Sequence, residues 1–128
     1  MGSLVLIADD DPDVVEDLGY LLEENGYETA SASNGEEALE KIRELRPALV
    51  ILDLLMPKVD GFAVLKKLRE PEWEEFASLP VVVLTSIREE ISQRRYQLET
   101  GEQMRFSIYL EKPYDHDELL EVVKKLVS

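Results

Sequence analysis

The chain contains 128 residues, of which 45% are hydrophobic, so it is long enough to form one domain with a sizeable core. Its 28 acidic and 14 basic residues give a net charge of −14, which disfavours direct binding to nucleic acid or to an anionic membrane surface. The absence of cysteine and the single histidine exclude disulfide frameworks, cysteine catalysis and multi-histidine metal sites.

The first third of the chain alternates strand and helix patterns. Residues 4–8 form a short, continuous apolar run, which predicts a strand buried on both faces. Asp11 followed by Pro12 is typical of a helix start, and Gly26 ends the amphipathic pattern that follows. Residues 27–31 predict a weaker strand near an edge of the sheet.

The middle of the chain repeats the same alternation. Asn34 caps a second predicted helix, which Pro47 ends, and residues 48–52 form a second fully apolar strand. A third helix is predicted over 61–70. Residues 71–78 are interpreted as an acidic loop that holds the only tryptophan.

The last third completes five strand–helix units. Residues 80–84 predict a third buried strand, 88–99 a weakly patterned helix and 107–110 the last strand, before Asp115 caps the final helix. Strands separated by single helices run parallel, with helices on both faces of the sheet. We therefore predict an α/β fold whose ligand site lies outside the carboxyl ends of the strands.

Polar residues follow four of the apolar runs. The first strand ends in Asp9-Asp10-Asp11 and the central strand in Asp53, whereas Thr85-Ser86 and Lys112-Pro113 follow the last two strands. Parallel strands bring these residues to one edge of the sheet. The sequence therefore predicts a crevice that contains carboxylates, a hydroxyl and an ammonium group.

These residue types indicate phosphoryl transfer. Clustered carboxylates repel one another, and oxygen ligands without histidine or cysteine suit Mg²⁺. Lys112 offers a positive charge to an incoming anion, and Thr85 can donate a hydrogen bond to it. A carboxylate in this setting can accept a phosphoryl group as an acyl phosphate.

Four separated motifs carry a family resemblance over residues 4–127. They are Asp9-Asp10-Asp11-Pro12, the run from Asp53 to Gly61, Thr85-Ser86 and Tyr109-Leu110-Glu111-Lys112-Pro113. Because these four motifs occur in this order, the chain resembles the CheY-like receiver domains of two-component response regulators. The resemblance implies a flavodoxin-like (βα)5 doubly wound sheet with strand order 2-1-3-4-5.

The resemblance also implies a role for each matching residue. Asp53 matches the phosphoacceptor, Asp10 the direct Mg²⁺ ligand and Asp9 the ligand that acts through water. The backbone carbonyl of Leu55 would complete the metal site, which also includes Asp53. Three further residues match the phosphoryl-binding and switch positions: the hydroxyl of Thr85, the amine of Lys112 and the ring of Tyr109.

Two apolar side chains suggest how long the phosphorylated state lasts. In the family that this chain resembles, the residues two past the acceptor and two past the switch hydroxyl flank the path of the attacking water. Here they are Leu55 and Ile87, which cannot orient water by hydrogen bonding. We therefore predict slow autodephosphorylation. Apart from catalysing its own phosphorylation and this slow dephosphorylation, the protein is expected to have no enzymatic activity.

Three other functions were considered. A haloacid-dehalogenase-like phosphatase needs a second aspartate where this chain has Leu55, and a flavin carrier needs a phosphate loop that Asp9-Asp10-Asp11 would repel. Both are rejected. The remaining alternative is a pseudo-receiver that docks partners without being phosphorylated.

The segment over 88–106 departs from the family pattern. The 24 positions between Thr85 and Tyr109 are several more than most receivers have, and the small residues that often precede the last strand are missing. Its four arginines balance its four glutamates. We interpret it as a surface for a specific partner, because the fourth helix, fifth strand and fifth helix form the usual output face.

The remaining expectations concern the protein's context. A histidine kinase or a histidine phosphotransfer protein would supply the phosphoryl group, and a downstream protein or fused output domain would respond to it. Residues 1–3 are interpreted as a cloning scar and 4–128 as the receiver domain. No membrane span or signal segment is apparent, so we expect a cytoplasmic protein, either stand-alone or part of a longer regulator. His116 is interpreted as a surface residue.

Overall fold

The computed structural model describes residues 2–127, which form five strands and five α-helices in strict alternation. Met1 of the presumed cloning scar and Ser128 lie outside the described residues, and the assignment of 1–3 stays a prediction. The elements in chain order are β1 (Leu4–Ala8), α1 (Pro12–Glu24), β2 (Glu28–Ala32), α2 (Gly35–Leu45), β3 (Leu49–Leu52), α3 (Gly61–Lys67), a 3₁₀ helix (Pro71–Phe76), β4 (Val81–Thr85), α4 (Glu89–Thr100), β5 (Ile108–Glu111) and α5 (His116–Val127).

The five strands form one parallel sheet in the order β2-β1-β3-β4-β5. The predicted fold class and strand order are confirmed. β1, β3 and β4 lie inside the sheet and consist almost entirely of buried residues, which agrees with their continuous apolar sequences. β2 is an edge strand, as predicted, and is displaced by one residue from the predicted range.

Two layers of apolar side chains cover the two faces of the sheet. α2 and α3 pack on one face, where Ala38, Ile42 and Val64 are completely buried, and α1 and α5 pack on the other face around Leu18 and Leu119. Each strand therefore contributes alternate side chains to opposite cores. Within residues 2–127, no helix is both long enough and apolar enough to cross a membrane.

The predicted helix starts are confirmed by hydrogen bonds. The side chains of Asp11, Asn34 and Asp60 accept backbone N–H groups in the first turns of α1, α2 and α3. Asp115 does the same for α5 by accepting the N–H of Glu118. These caps fix where the helices begin, directly after the loops that leave the sheet.

The segment between α3 and β4 corrects two sequence-based predictions. α3 ends at Lys67 rather than at residue 70, because Arg69 and Glu70 bond to carbonyls three residues earlier and Pro71 follows. The predicted acidic loop over 71–78 is instead a 3₁₀ helix for most of its length. Trp73, three residues before the buried Phe76, packs into the core.

The long segment after β4 is ordered by its own contacts. α4 ends at Gly101, whose φ of 77° lies in the left-handed region. Beyond the helix, Met104 is buried, and its backbone N–H and carbonyl both bond to the amide of Gln93. Arg69 also donates to the carbonyl of Gln103. These contacts hold the extra residues against α4 and against the segment that follows α3.

Candidate functional site

The carboxyl ends of β1, β3, β4 and β5 meet at one edge of the sheet. The backbone N–H of Asp53 donates to the carbonyl of Ala8 at 2.9 Å, and that of Lys112 donates to the carbonyl of Thr85 at 2.8 Å. These bonds extend the sheet ladder one residue beyond the strands. The polar side chains that follow the strands are therefore placed on well-ordered backbone rather than on free loops.

Lys112 connects two buried carboxylates. Its Nζ lies 2.8 Å from Oδ2 of Asp9 and 3.1 Å from Oδ2 of Asp53, and the side chains of these aspartates are only 4% and 6% exposed. Burial lowers the pKa of the Lys112 amine, but the hydrogen bonds to both carboxylates outweigh this effect and leave the pKa raised. The amine therefore stays charged beside Asp53.

The folded protein disfavours the ionised form of the Asp9 carboxyl group. Burial is the largest influence on the pKa of Asp9 and, together with the charge of Asp53, raises it, although the hydrogen bonds to Lys112 and to the N–H of Asp11 act in the opposite direction. Ionising Asp9 therefore costs free energy in the folded protein when no cation is bound.

Three aspartates can hold a metal ion together. Asp9, Asp10 and Asp53 each offer an oxygen, and these oxygens lie within 4.8 Å of one another. Asp10 is exposed, whereas Asp9 and Asp53 are buried. An oxygen-only set that is partly open to solvent suits Mg²⁺, which keeps several of its waters. The backbone N–H of Leu55 donates to Oδ1 of Asp53 at 3.1 Å and orients that carboxylate.

Thr85 carries a buried hydroxyl that has no hydrogen-bond partner within residues 2–127. Leaving such a group unpaired costs about 1–3 kcal/mol. It lies at the end of β4, the strand next to the one that leads into Asp53. An unpaired donor, a lysine and an oxygen-lined metal site are together what a phosphoryl group and Mg²⁺ require.

Tyr109 is joined to α4 by its hydroxyl, which donates to the carbonyl of Ile87 at 2.7 Å and lies 2.7 Å from Oγ of Ser92. Its ring is half-buried and packs edge-on against Phe106 at 5.5 Å. Burial raises the pKa of Tyr109, so the hydroxyl keeps its proton. The sequence reasoning missed Ser92, although a small polar residue on the buried side of a polar helix was the available signal.

Leu55 and Ile87 occupy different environments. Leu55 is 45% exposed beside Asp53, whereas Ile87 is half-buried and packs against the core on the face that holds α2 and α3. Neither carries a polar side-chain atom. Both follow a strand that ends at the site.

Gly61 brings the start of α3 into direct contact with the residues that follow β3. Its N–H donates to the carbonyl of Leu54 at 3.1 Å. A Cβ on Gly61 would lie 2.3 Å from the carbonyl oxygen of Asp53 and 2.6 Å from Cα of Leu54. Only glycine fits this approach, so Gly61 sets the path of the chain from Asp53 to α3.

A further polar cluster lies next to the site, between α1 and the loop after β5. Oδ2 of Asp17 accepts a hydrogen bond from the hydroxyl of Tyr114 and lies 2.7 Å from Nε2 of His116. His116 is exposed, as predicted, and it has a partner 99 residues earlier in the chain. Sequence reasoning missed this cluster because no local spacing connects residues so far apart.

Comparison with known families matches residues 5–124 to the response regulator receiver domain. The chain is 40% identical over 125 residues to the response regulator Rre1 of Synechocystis sp., which covers 97% of this chain and 51% of that protein. It is 34% identical over 127 residues to the alkaline phosphatase synthesis transcriptional regulatory protein PhoP of Bacillus subtilis, covering 99% and 49% of the two chains. The chain thus spans about half the length of these curated relatives.

The fold also matches solved structures of similar proteins. The response regulator TrrA of Thermotoga maritima, in complex with Mg²⁺–BeF, is 33% identical and superimposes with a TM-score of 0.78, with 97% of this chain and 98% of that chain covered. A response regulator from Chloroflexus aurantiacus is 34% identical, with a TM-score of 0.79 and coverage of 99% and 98%.

Proposed function

This chain belongs to the family of response regulator receiver domains, and on that premise we propose that Asp53 accepts a phosphoryl group from a histidine kinase or a histidine phosphotransfer protein. One observation supports the proposal most strongly. The half-buried Lys112 contacts Asp53, and at the same edge of the sheet the buried hydroxyl of Thr85 has no hydrogen-bond partner among the described residues. The relative TrrA was solved with Mg²⁺–BeF, which supports the same chemistry.

In the proposed reaction, an oxygen of the Asp53 carboxylate attacks phosphorus and forms a new P–O bond. The P–N bond of a phosphohistidine donor breaks, and its electron pair leaves with the imidazole. Lys112 already donates a hydrogen bond to Oδ2 of Asp53, so its ammonium can stabilise the negative charge that develops on the phosphoryl oxygens. Thr85 would donate its free hydroxyl to one of those oxygens.

The metal site would be formed by Asp10, Asp53 and the backbone carbonyl of Leu55, with Asp9 acting through water. When bound, Mg²⁺ supplies positive charge to the phosphoryl oxygens. The protein's own task is to hold these donors at fixed positions, which the bonds from Lys112 to Asp9 and from the Leu55 N–H to Asp53 achieve.

The proposed output route runs from Thr85 through Tyr109 to α4. If Thr85 moves to bond the phosphoryl group, the neighbouring carbonyl of Ile87, which holds Tyr109, is displaced with it. Ser92 then transmits the change to α4. The face formed by α4, β5 and α5 would contact a downstream protein or an attached output domain, without direct contact between this domain and nucleic acid.

Phosphorylation can be tested with acetyl phosphate and Mg²⁺, followed by intact mass spectrometry. We expect wild type to gain one phosphoryl group and Asp53→Asn to gain none. Asp11→Asn is the matched control, since it also converts an aspartate at this edge into an asparagine that can still cap α1. A wild type that stays unmodified in saturating donor and Mg²⁺ would reject the proposal in favour of a pseudo-receiver that only docks partners.

A further inference from the structure

The contact between Asp17 and Tyr114 lies outside the site proposed for phosphorylation. We propose that it positions Lys112 for phosphoryl transfer, so that Asp17 on α1 acts as a positioning residue for a reaction in which it touches no reacting atom. This inference rests on the proposed function.

The contact joins the two chain segments that carry an ion pair of the site. α1 begins at Pro12, three residues after Asp9, and Asp17 lies in its second turn. Tyr114 lies two residues after Lys112, in the loop between β5 and α5. The hydroxyl of Tyr114 donates to Oδ2 of Asp17.

These contacts close a ring. One side of the ring is the ion pair of 2.8 Å between Lys112 and Asp9, and the other side is the bond between Tyr114 and Asp17. Residues 10–16, which include the first turn of α1, connect the two acids, and two peptide bonds connect the two donors. The Lys112 N–H is held by the carbonyl of Thr85, and the bond at Tyr114 adds a second restraint on the other side of Lys112, in the loop that follows it.

The surroundings of the contact keep Tyr114 protonated and Asp17 ionised, which the hydrogen bond between them requires. Burial and the bond to Asp17 raise the pKa of Tyr114, so the hydroxyl keeps its proton. The bond from Tyr114 lowers the pKa of Asp17, so the carboxylate stays an acceptor. The Tyr114 ring packs against the core between the sheet and α1 and α5, and the exposed His116 adds a second bond to the same carboxylate oxygen.

Lysine labelling tests the positioning of Lys112 without any phosphoryl transfer. The reagent is an amine-reactive acetylating agent in limiting amount, and mass spectrometry compares Lys112 with the exposed Lys66 in the same molecule. Tyr114→Phe and Asp17→Ala each break the bond from one side, and labelling of Lys112 should rise about three- to tenfold. Tyr20→Phe is the matched control, because Tyr20 also donates its hydroxyl to an acid of α1, Glu24, but both partners lie within that helix.

The second readout is the rate of phosphorylation by acetyl phosphate, measured well below the unfolding temperature of each variant. Tyr114→Phe and Asp17→Ala should be slower than wild type by about threefold or more, because a misplaced charge stabilises the transition state less well. Asp17→Asn keeps an oxygen acceptor for Tyr114, so it should restore at least half of the wild-type rate. Because the rates are measured well below each unfolding temperature, a mere loss of stability would leave them unchanged.

The outcomes separate the two proposals. If wild type takes up no phosphoryl group, the proposed function fails, and the labelling experiment alone then decides whether the contact positions Lys112. If wild type is phosphorylated but Tyr114→Phe and Asp17→Ala match it in both rate and Lys112 labelling, the inference is overturned while the proposed function stands.

Discussion

At the scale of single residues, Asp9 carries the clearest electrostatic cost. Its carboxyl has a raised pKa in the folded protein, so between the unfolded and folded pKa values the folded state binds more protons. Stability from this group is therefore present at low pH and is lost as the pH rises through the folded pKa. The loss begins near pH 4, where an unfolded aspartate ionises.

We expect Asp9→Asn to be more stable than wild type at neutral pH in the absence of Mg²⁺. The advantage should shrink towards pH 4, because the wild-type carboxyl is then neutral as well. Urea unfolding at a series of pH values measures both trends. Asp11→Asn serves as the control at an exposed position. An advantage that is absent, or equal at all pH values, would contradict the assigned cost of ionising Asp9.

Two apolar residues govern the expected lifetime of the phosphorylated state. Leu55 and Ile87 offer no group that can orient the attacking water, so wild type should lose its phosphoryl group slowly. Leu55→Asn combined with Ile87→Glu should accelerate the loss by roughly tenfold, equivalent to about 1.4 kcal/mol of activation free energy.

Phosphate release after removal of the donor measures this rate. Leu55→Asn alone separates the exposed position from Ile87, whose half-buried side chain also contributes to packing. Leu55→Val is the apolar control and should stay slow. Release that is fast in wild type, or unchanged in the double variant, would show that backbone geometry rather than these side chains sets the rate.

At the scale of elements, the close contact of α3 with Asp53 and Leu54, which follow β3, predicts opposite results for two glycines. Gly61→Ala should destabilise the protein by about 1–3 kcal/mol, because the added Cβ meets backbone atoms of Asp53 and Leu54 that cannot move aside. Gly19→Ala lies within α1, where the Cβ would meet only Oγ1 of Thr29, at 3.9 Å. It should stabilise by about 0.5–1 kcal/mol.

Thermal or urea unfolding of both variants checks the pair. Phosphorylation of Gly61→Ala should also be impaired, since the clash falls on Asp53, the proposed phosphoacceptor. A Gly61→Ala protein as stable as wild type would mean that α3 can shift away from the sheet without cost.

The elements that sequence could predict are those whose signal is local. The buried strands β1, β3 and β4 are continuous apolar runs, and the caps at Asp11 and Asn34 involve residues only two or three positions away. The 3₁₀ helix was missed because its run is too short for helical periodicity and is rich in acids. The spacing of three between Trp73 and Phe76 was the only hint of it.

The candidate site likewise combines features that the sequence predicts with features that depend on tertiary packing. Topology alone brings Asp9, Asp53 and Lys112 to one edge, because parallel strands share their direction. The distances between them depend on tertiary packing, as do the bond between Tyr109 and Ser92 and the contact of Asp17 with Tyr114. No pattern in the chain encodes which surface acid faces a tyrosine 97 residues away.

At the scale of the whole molecule, the net charge affects which ions and partners can approach the domain. The net charge of −14 favours the approach of cations to this protein and disfavours phosphate backbones. The segment from Arg88 to Arg105, with four arginines and four glutamates, contributes no net charge. A partner that binds α4 therefore meets a surface that repels acidic proteins less than the rest of the domain does.

The position of the only tryptophan has an optical consequence. Trp73 is 4% exposed beneath the guanidinium of Arg43, which lies 4.0 Å from its ring, and the 3₁₀ helix that carries it leads into the opposite end of β4 from Thr85. Its fluorescence should therefore shift to longer wavelength when denaturant exposes the ring, yet remain unchanged when Mg²⁺ is added to the folded protein. A quenching titration that follows Mg²⁺ would contradict this expectation. Intrinsic tryptophan fluorescence would thus report whether the domain is folded, independently of whether Mg²⁺ is bound.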